Sequence, residues 1–559
     1  MLARGVAAVV ALSLLTTQAD VPFSVIEATI PDMQTAMREG RTTSRELVAQ
    51  SLARIARYDD RLHAVMTVNP AALADAAARD RERARGRDRG LLHGIPIALK
   101  DNIQTTAVPT TGGALAFEGF VPPYEATLAA HLREAGAVLV AKTGLTELAN
   151  WVAGPPTPMP AHYNALTGFG RNPYDPRPNP GGDGRPVLSP GGSSSGVGTA
   201  ASFWAANVGT ETSGSILSPA SQHMLAAIKP TVGRISRYGI IPITSDQDTA
   251  GPMARTVTDA AILFGVLEGD APDSRDSATD RCPPAPDRDY TQFLRRDALR
   301  GARIGIPRAY YYDPTPLPGG RLSGGLTRDR RRLMAEAIAV LAREGAVIVD
   351  PADVPSVVAT DADDNLLLWD ICVAPDGSTG GRSDCSSVLK YGMRRDFNRW
   401  LASLGPAAPV ASLTELREFN RAHQAAGAVR FGQSLLDLSD AVDLDRDRAR
   451  YESDRAKDIR LAGTSGIDAS IREHRLDALL FPGWSGADLA ARPGYPTVIV
   501  PFGSAPNEPT PAVPPGFDPR PTPVGVSFTG GACSEPRLLA LAFAFEQATL
   551  RRVPPALED

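Results

Sequence analysis

The sequence predicts an α/β fold, and three observations carry that expectation. Apolar runs of strand length recur along the chain, amphipathic stretches with helical spacing separate them, and the alternation is present near both ends. Strand material at both ends predicts one sheet closed by the C-terminal segment. With 559 residues the chain exceeds what one ordinary core of about 100–200 residues requires, so one large or two fused domains are expected.

The elements read in order as follows. Ser24 to Arg85 is mostly helical, with Thr42-Thr43-Ser44 leading into an amphipathic run from Arg45 to Tyr58 that places Val48, Leu52 and Ile55 on one face. A strand, Ile95 to Leu99, follows Gly94 and ends at Lys100. Glu125 to Glu134 is helical, Ala137 to Ala141 extended, and a further helix is expected near Thr146. Gly154 to Gly192 is crowded with Pro, Gly and Asn, and a loop of that length inside a globular domain is usually functional. Ala200 to Val208 returns to small apolar residues. Ile216 to Tyr238 leads through Lys229-Pro230 into turn-rich chain, and Thr256 to Leu267 is a helix.

Gly269 to Asp289 is an acidic, proline-bearing excursion. Ile304-Gly305-Ile306 marks a strand and Arg328 to Arg343 an amphipathic helix. From about Asp350 to Asp477 strand signals are few, and the stretch reads as a helical insertion. Strands resume at Leu479-Leu480-Phe481, Val498-Ile499-Val500 and Val524-Gly525-Val526, before a helix from Glu535 to Thr549.

Composition excludes several functions. The net charge of −5 gives no basic footprint for nucleic acid or anionic lipid. The basic residues are almost all arginine; the lysines are Lys100, Lys142, Lys229, Lys390 and Lys457. At the N-terminus, Arg4, an apolar run from Gly5 to Leu15 and the small residues Thr17 and Ala19 read as an export signal over residues 1–19, cleaved before Asp20. The run is short for a bilayer span, so no stable membrane insertion is expected. The mature chain, residues 20–559, is expected to be secreted or periplasmic. Cys372 and Cys385 are placed to close a loop in a Gly/Ser/Asp-rich stretch, whereas Cys282 and Cys533 are expected to be free. No Cys/His spacing points to zinc, and no cofactor or metal is expected.

Three stretches carry chemistry. In Gly94 to Asn102, Lys100 ends an apolar strand; burial of its stem disfavours the charged form, and a neutral lysine is a general base. Read alone, it is more readily a snorkelling lysine or one paired with Asp101. Ser189-Pro190-Gly191-Gly192-Ser193-Ser194-Ser195-Gly196 permits close backbone approach to a ligand. Read alone, it fits a flexible loop, a phosphate cradle or a G-x-S-x-G elbow centred on Ser194. No GK[ST] follows, and the elbow requires a strand leading into it, where Pro190 and two glycines stand instead. Gly209-Thr210-Glu211-Thr212-Ser213-Gly214-Ser215 is a small-residue turn able to aim successive backbone N–H groups at one point, beside a serine.

Together with Lys229-Pro230-Thr231-Val232-Gly233, Gln247 to Pro252 and Ser534-Glu535-Pro536, these stretches resemble the amidase signature family from about Ala28 to Pro554. The resemblance implies a central mixed, twisted sheet covered by helices, in a single domain carrying the insertion at about 350–477. It implies Ser215 as nucleophile, Ser193 as a bridging serine after a cis peptide bond, and Lys100 as neutral base. Backbone N–H groups of Thr212, Ser213, Gly214 and Ser215 would form the oxyanion hole. The expected activity is cleavage of carboxamide C–N bonds through an acyl-enzyme, on a small-molecule or peptide amide.

The chain departs from the family at Ser213, usually glycine or aspartate, and at Leu217, often arginine. Losing that arginine disfavours small dicarboxylate-derived amides. The spacing from Ser193 to Ser215 is also shorter than usual for the family, which a shortened connecting helix, Val197 to Asn207, would absorb. The run from Gly94 to Arg255 is most similar to the bacterial peptide amidase branch, which releases ammonia from peptide C-terminal amides. Aryl-acylamide and fatty-amide hydrolysis are the alternatives within the family, and a non-catalytic secreted binding protein the alternative outside it. The export signal speaks against a role in tRNA-linked amidotransfer.

Overall fold

The computed structural model describes residues 23–192, 195–317, 320–374 and 384–557. The export segment and Ser193 therefore lie outside the described residues. The architecture is α/β, built on an 11-stranded mixed sheet. Its strands are β1 (Val65–Val68), β2 (Pro96–Lys100), β3 (Val138–Thr143), β4 (Ala206–Glu211), β5 (Ala226–Lys229) and β6 (Thr249–Ala254). These are followed by β7 (Arg303–Gly305), β8 (Val347–Val349), β9 (Ala478–Pro482), β10 (Thr497–Ala505) and β11 (Thr522–Thr529).

Across the sheet the order is β1-β3-β2-β4-β6-β5-β10-β11-β9-β7-β8. β2 runs parallel to both β3 and β4, whereas β4 is antiparallel to β6, and β10 is antiparallel to β5 and β11. The sheet is open, with β1 and β8 at its edges. The C-terminal strands β10 and β11 therefore do not close it, as expected from the sequence, but occupy its interior. Their residues are almost all buried, which suits strands covered on both faces.

Two helices pack against this centre, Val257–Glu268 and Glu535–Thr549. Nine of the 12 residues of Val257–Glu268 are buried, so its apolar side is nearly its whole surface. At the other extreme, Ser44–Leu62 is amphipathic and begins with a capping box, Thr43 and Glu46 each satisfying the other's backbone N–H.

Between β8 and β9 the described chain forms helices and no sheet strand, among them Asn398–Ser403, Leu413–Ala422 and Arg448–Asp458. This stretch builds a second apolar cluster, in which Phe397, Trp400 and Leu413 pack with Phe117 and Trp151 from the N-terminal half. Among the described residues no helix is long and apolar enough to cross a membrane.

Several local expectations are corrected. β1, β4, β5, β6 and β8 lie outside the strands that the sequence predicts; β5 and β6 are short and fully buried, so they show no alternation. The helix expected near Thr146 is a 3₁₀ turn, Glu147–Asn150, with Leu148 and Ala149 in left-handed conformation. The helix expected over Val197 to Asn207 ends at Ala200, and Ala206 already begins β4. Cys282 and Cys533, expected to be free, form a disulfide across 251 residues. Cys372 and Cys385 form the second.

Candidate active site

The site begins where β2 and β4 end side by side. Their parallel pairing sets Leu99 opposite Val208, so the next side chains, Lys100 and Thr210, meet at the C-terminal ends of the strands. Lys100 is fully buried. Its Nζ donates to Thr210 Oγ1 at 2.9 Å and to the Thr210 carbonyl at 3.2 Å. Among the described residues it makes no ion pair: Asp101, the alternative partner in sequence, instead pairs with Lys142 at 3.2 Å. Burial lowers the Lys100 pKa to about 7, against the opposing pull of Asp248 and Glu211.

After Glu211 the chain leaves the sheet through Thr212, Ser213, Gly214 and Ser215, so only the second half of the Gly209–Ser215 stretch is a turn. Gly214 has φ +85°, a conformation in which a Cβ is strained. The Glu211 carboxylate spans the base of the turn, accepting from Ile216 N at 2.7 Å and Leu217 N at 2.9 Å. These are N–H groups at the start of the helix Leu217–Gln222, where an anion is favoured. Thr212 Oγ1 donates to Asp248 Oδ1 at 2.5 Å, and Asp248 Oδ2 accepts from Ile243 N and Thr244 N. Burial raises the Asp248 pKa to about 6.

Ser215 is 8% exposed. The glycine pair before the serine triplet lies directly on it: a Cβ at Gly192 would stand 3.5 Å from both Cα and Oγ of Ser215. At Gly191, φ +91°, a Cβ would lie 2.5 Å from Pro219 N, so only glycine permits this approach. The Gly192 carbonyl accepts from Thr146 Oγ1 at 2.8 Å, which anchors the loop on the chain beyond β3. Lys100, Gly192 and the Thr212–Ser215 turn thus belong to one locality. Ser213 is exposed and Leu217 fully buried.

A cavity of about 510 Å³ adjoins this locality, lined on one side by Asn102, Thr210, Thr212 and Asp248. Its outer wall includes the stacked rings of Tyr124 and Tyr238, 4.9 Å apart, and Trp400 from the inserted helices. Residues 187–192 form no strand, so the elbow reading of Ser194 lacks its required geometry. His223 is packed behind Gly196 with its pKa lowered to about 3 by burial, unsuited to the work of a general base.

The sequence does not single out Thr210, Glu211 or Asp248 individually, although all three lie inside the quoted motifs. Each stands out only once the fold has buried it.

A family model described as Amidase matches residues 46–539. The chain belongs to that family. This amidase is 34% identical over 542 residues to a probable amidase of Arabidopsis thaliana, covering 95% of this chain and 92% of the relative. It is 30% identical over 567 residues to a glutamyl-tRNA(Gln) amidotransferase component from Halorhodospira halophila, covering 95% of this chain and 100% of the relative. Among solved structures it resembles the peptide amidase of Stenotrophomonas maltophilia, with TM-score 0.79 and 37% identity over 96% of this chain and 100% of that one. The amidase is thus a hydrolase of amide C–N bonds on the amidase signature fold.

Proposed function

We propose that this amidase is an exported enzyme that releases ammonia from C-terminally amidated peptides, using Ser215, Ser193 and Lys100. The carrying observation is Lys100, buried with no carboxylate partner among the described residues, at the strand end beside the Ser215 turn. A lysine so placed gives up its proton near neutral pH and becomes a base.

In the proposed cycle, Ser215 Oγ attacks the amide carbon as its proton passes to Ser193 and that of Ser193 to Lys100. The carbonyl oxygen becomes an oxyanion, held by backbone N–H groups of Thr212, Ser213, Gly214 and Ser215. One such donor is typically worth about 3 kcal/mol in the transition state. Ser193 then protonates the departing nitrogen, Lys100 reprotonates Ser193, and the C–N bond breaks to leave an acyl-Ser215 ester. Water attacks the ester, its proton returns through Ser193, and the acid leaves. The approach of Gly192 to Ser215 supports Ser193 as the bridge, since it fixes the residue just before it.

Similarity to the Stenotrophomonas maltophilia peptide amidase supports the substrate class. Two disulfides and no free cysteine support an oxidising compartment. The exported chain is expected to begin at Asp20, which N-terminal sequencing reads directly. Ammonia release from amidated dipeptides, beside anilides and fatty amides, tests the substrate. Ser215→Ala and Lys100→Ala should abolish it; a Ser215→Ala protein as active as the wild type would overturn the mechanism.

A further inference from the structure

All aromatic residues of the chain lie among the described residues, and of these Trp484 alone is exposed, at 45%. Its position is at the active site. It follows β9 directly, and its six-membered ring lies against Gly214, the residue before Ser215. A Cβ on Gly214 would stand 3.4 Å from Trp484 Cε3 and 3.7 Å from Cζ3. A side-chain atom there would be in ordinary van der Waals contact with the indole, so the ring covers the turn at Gly214.

The indole is also held in place from below. Gly483 N donates to the Gly525 carbonyl at 2.8 Å, and Ser527 Oγ donates to the Gly483 carbonyl at 2.5 Å. The Trp484 carbonyl accepts from Ala487 N at 3.0 Å, opening the helix Ala487–Ala491. A large apolar ring left in water is unfavourable, and the fixed backbone keeps its point of attachment beside the turn. Such a ring beside a reactive serine is suited to a planar group of the substrate, since offset stacking adds about 0.5–1.5 kcal/mol beyond area burial.

We propose that Trp484 is a substrate-binding platform that selects amides carrying an aromatic ring next to the scissile bond. The identity of that ring rests on the peptide-amide reading above. When ammonia is the leaving group, all the bulk of the substrate lies on the acyl side. The side chain of the C-terminal residue must then pass along the turn, and an aromatic one stacks on Trp484. The cavity lined by Thr210 and Thr212 is left for the preceding residue.

The test compares kcat and KM of wild type, Trp484→Ala and Trp484→Phe on matched pairs: dipeptide amides ending in phenylalaninamide or alaninamide, and aromatic or aliphatic carboxamides. The expected result is a KM for the aromatic member raised about two- to tenfold in Trp484→Ala, corresponding to that stacking energy. The aliphatic member should change less, so that the aromatic-to-aliphatic ratio of kcat/KM falls by that factor, and Trp484→Phe should restore most of the preference. If the aromatic-to-aliphatic ratio is the same in all three proteins, the platform is overturned. Should no dipeptide amide be cleaved by the wild type, the peptide reading falls, and the carboxamide pair still decides the role of Trp484.

Discussion

Thr210 Oγ1 accepts from Lys100 Nζ at 2.9 Å and from Asn102 Nδ2 at 3.0 Å, joining the end of β2 to the end of β4 through one hydroxyl. This contact aims the lysine without adding a charge to it. A carboxylate in the same place would hold the ammonium form and silence it as a base. Thr210→Val removes the hydroxyl and leaves only the backbone carbonyl for Nζ. A buried hydrogen bond of this kind is worth about 1 kcal/mol, and Asn102 Nδ2 keeps only its longer contact with the Ile241 carbonyl, at 3.4 Å. We expect kcat to fall roughly tenfold, with thermal stability only slightly lower, measured by steady-state assay and calorimetry side by side.

The pH profile follows from the same lysine. Its pKa is lowered from 10.5 to about 7, and the neutral form is the active base. Activity should therefore rise with pH through about 7 and fall away on the acid side as Lys100 is protonated. Asp248 is the first of the groups that pull this pKa back up, with Glu211 the second. In Asp248→Asn that pull is lost, so the acid limb of kcat/KM should move to lower pH. The same change weakens the Thr212 contact and should lower the plateau, by roughly tenfold for a bond to a charged group. Asp248 itself ionises at about 6, so the wild-type limb contains both titrations and the variant only one. A limb that stays in place would exclude Asp248 as a tuning group.

The long helices and apolar strands are legible in sequence because each carries its own pattern. Arg328–Arg343 and Glu535–Thr549 have the bounds their periodicity predicts. β5 and β6 are not legible: buried on both faces, they show neither alternation nor helical spacing, and Pro252 interrupts β6. The Cys282–Cys533 pair escapes a sequence reading because its separation of 251 residues leaves no local trace. At the site, Lys100 and Ser215 stand out through their motifs. Asp248 does not, since its part depends on Thr212, 36 residues away and adjacent only once β4 and β6 pair. Trp484 is equally silent, for a tryptophan left in water by the tertiary fold has no local pattern to mark it.

Lys142 tests how strictly this region separates its charges. It is fully buried, pairs with Asp101 at 3.2 Å and donates to Thr110 Oγ1 at 2.8 Å. Lys142→Met would leave the Asp101 carboxylate buried without its counter-charge, which costs about 3–5 kcal/mol. Burial already raises the Asp101 pKa, so its relief in the folded state is to take up a proton. The double variant Lys142→Met/Asp101→Asn removes both charges and should regain most of the lost stability. Denaturant unfolding of the three proteins reads the result; equal losses in the single and double variants would show that packing, not charge, is at stake.

The disulfide Cys282–Cys533 ties the acidic excursion to the start of the last helix. Beside it, Thr231 Oγ1 accepts from Cys533 N, while Glu535 accepts from Thr231 N and faces Arg234. Cross-linking so long a loop restricts the unfolded chain strongly, and losing such a bridge typically costs about 2–5 kcal/mol. Cys282→Ser/Cys533→Ser should therefore lower the melting temperature clearly. Cys372→Ser/Cys385→Ser, which opens a separation of only 13 residues, should lower it less. Reducing agent should lower the wild-type melting temperature and leave a variant lacking all four cysteines unmoved. If the two pairs prove equal, loop length is not what sets their contribution, and local strain or packing at each bridge takes its place.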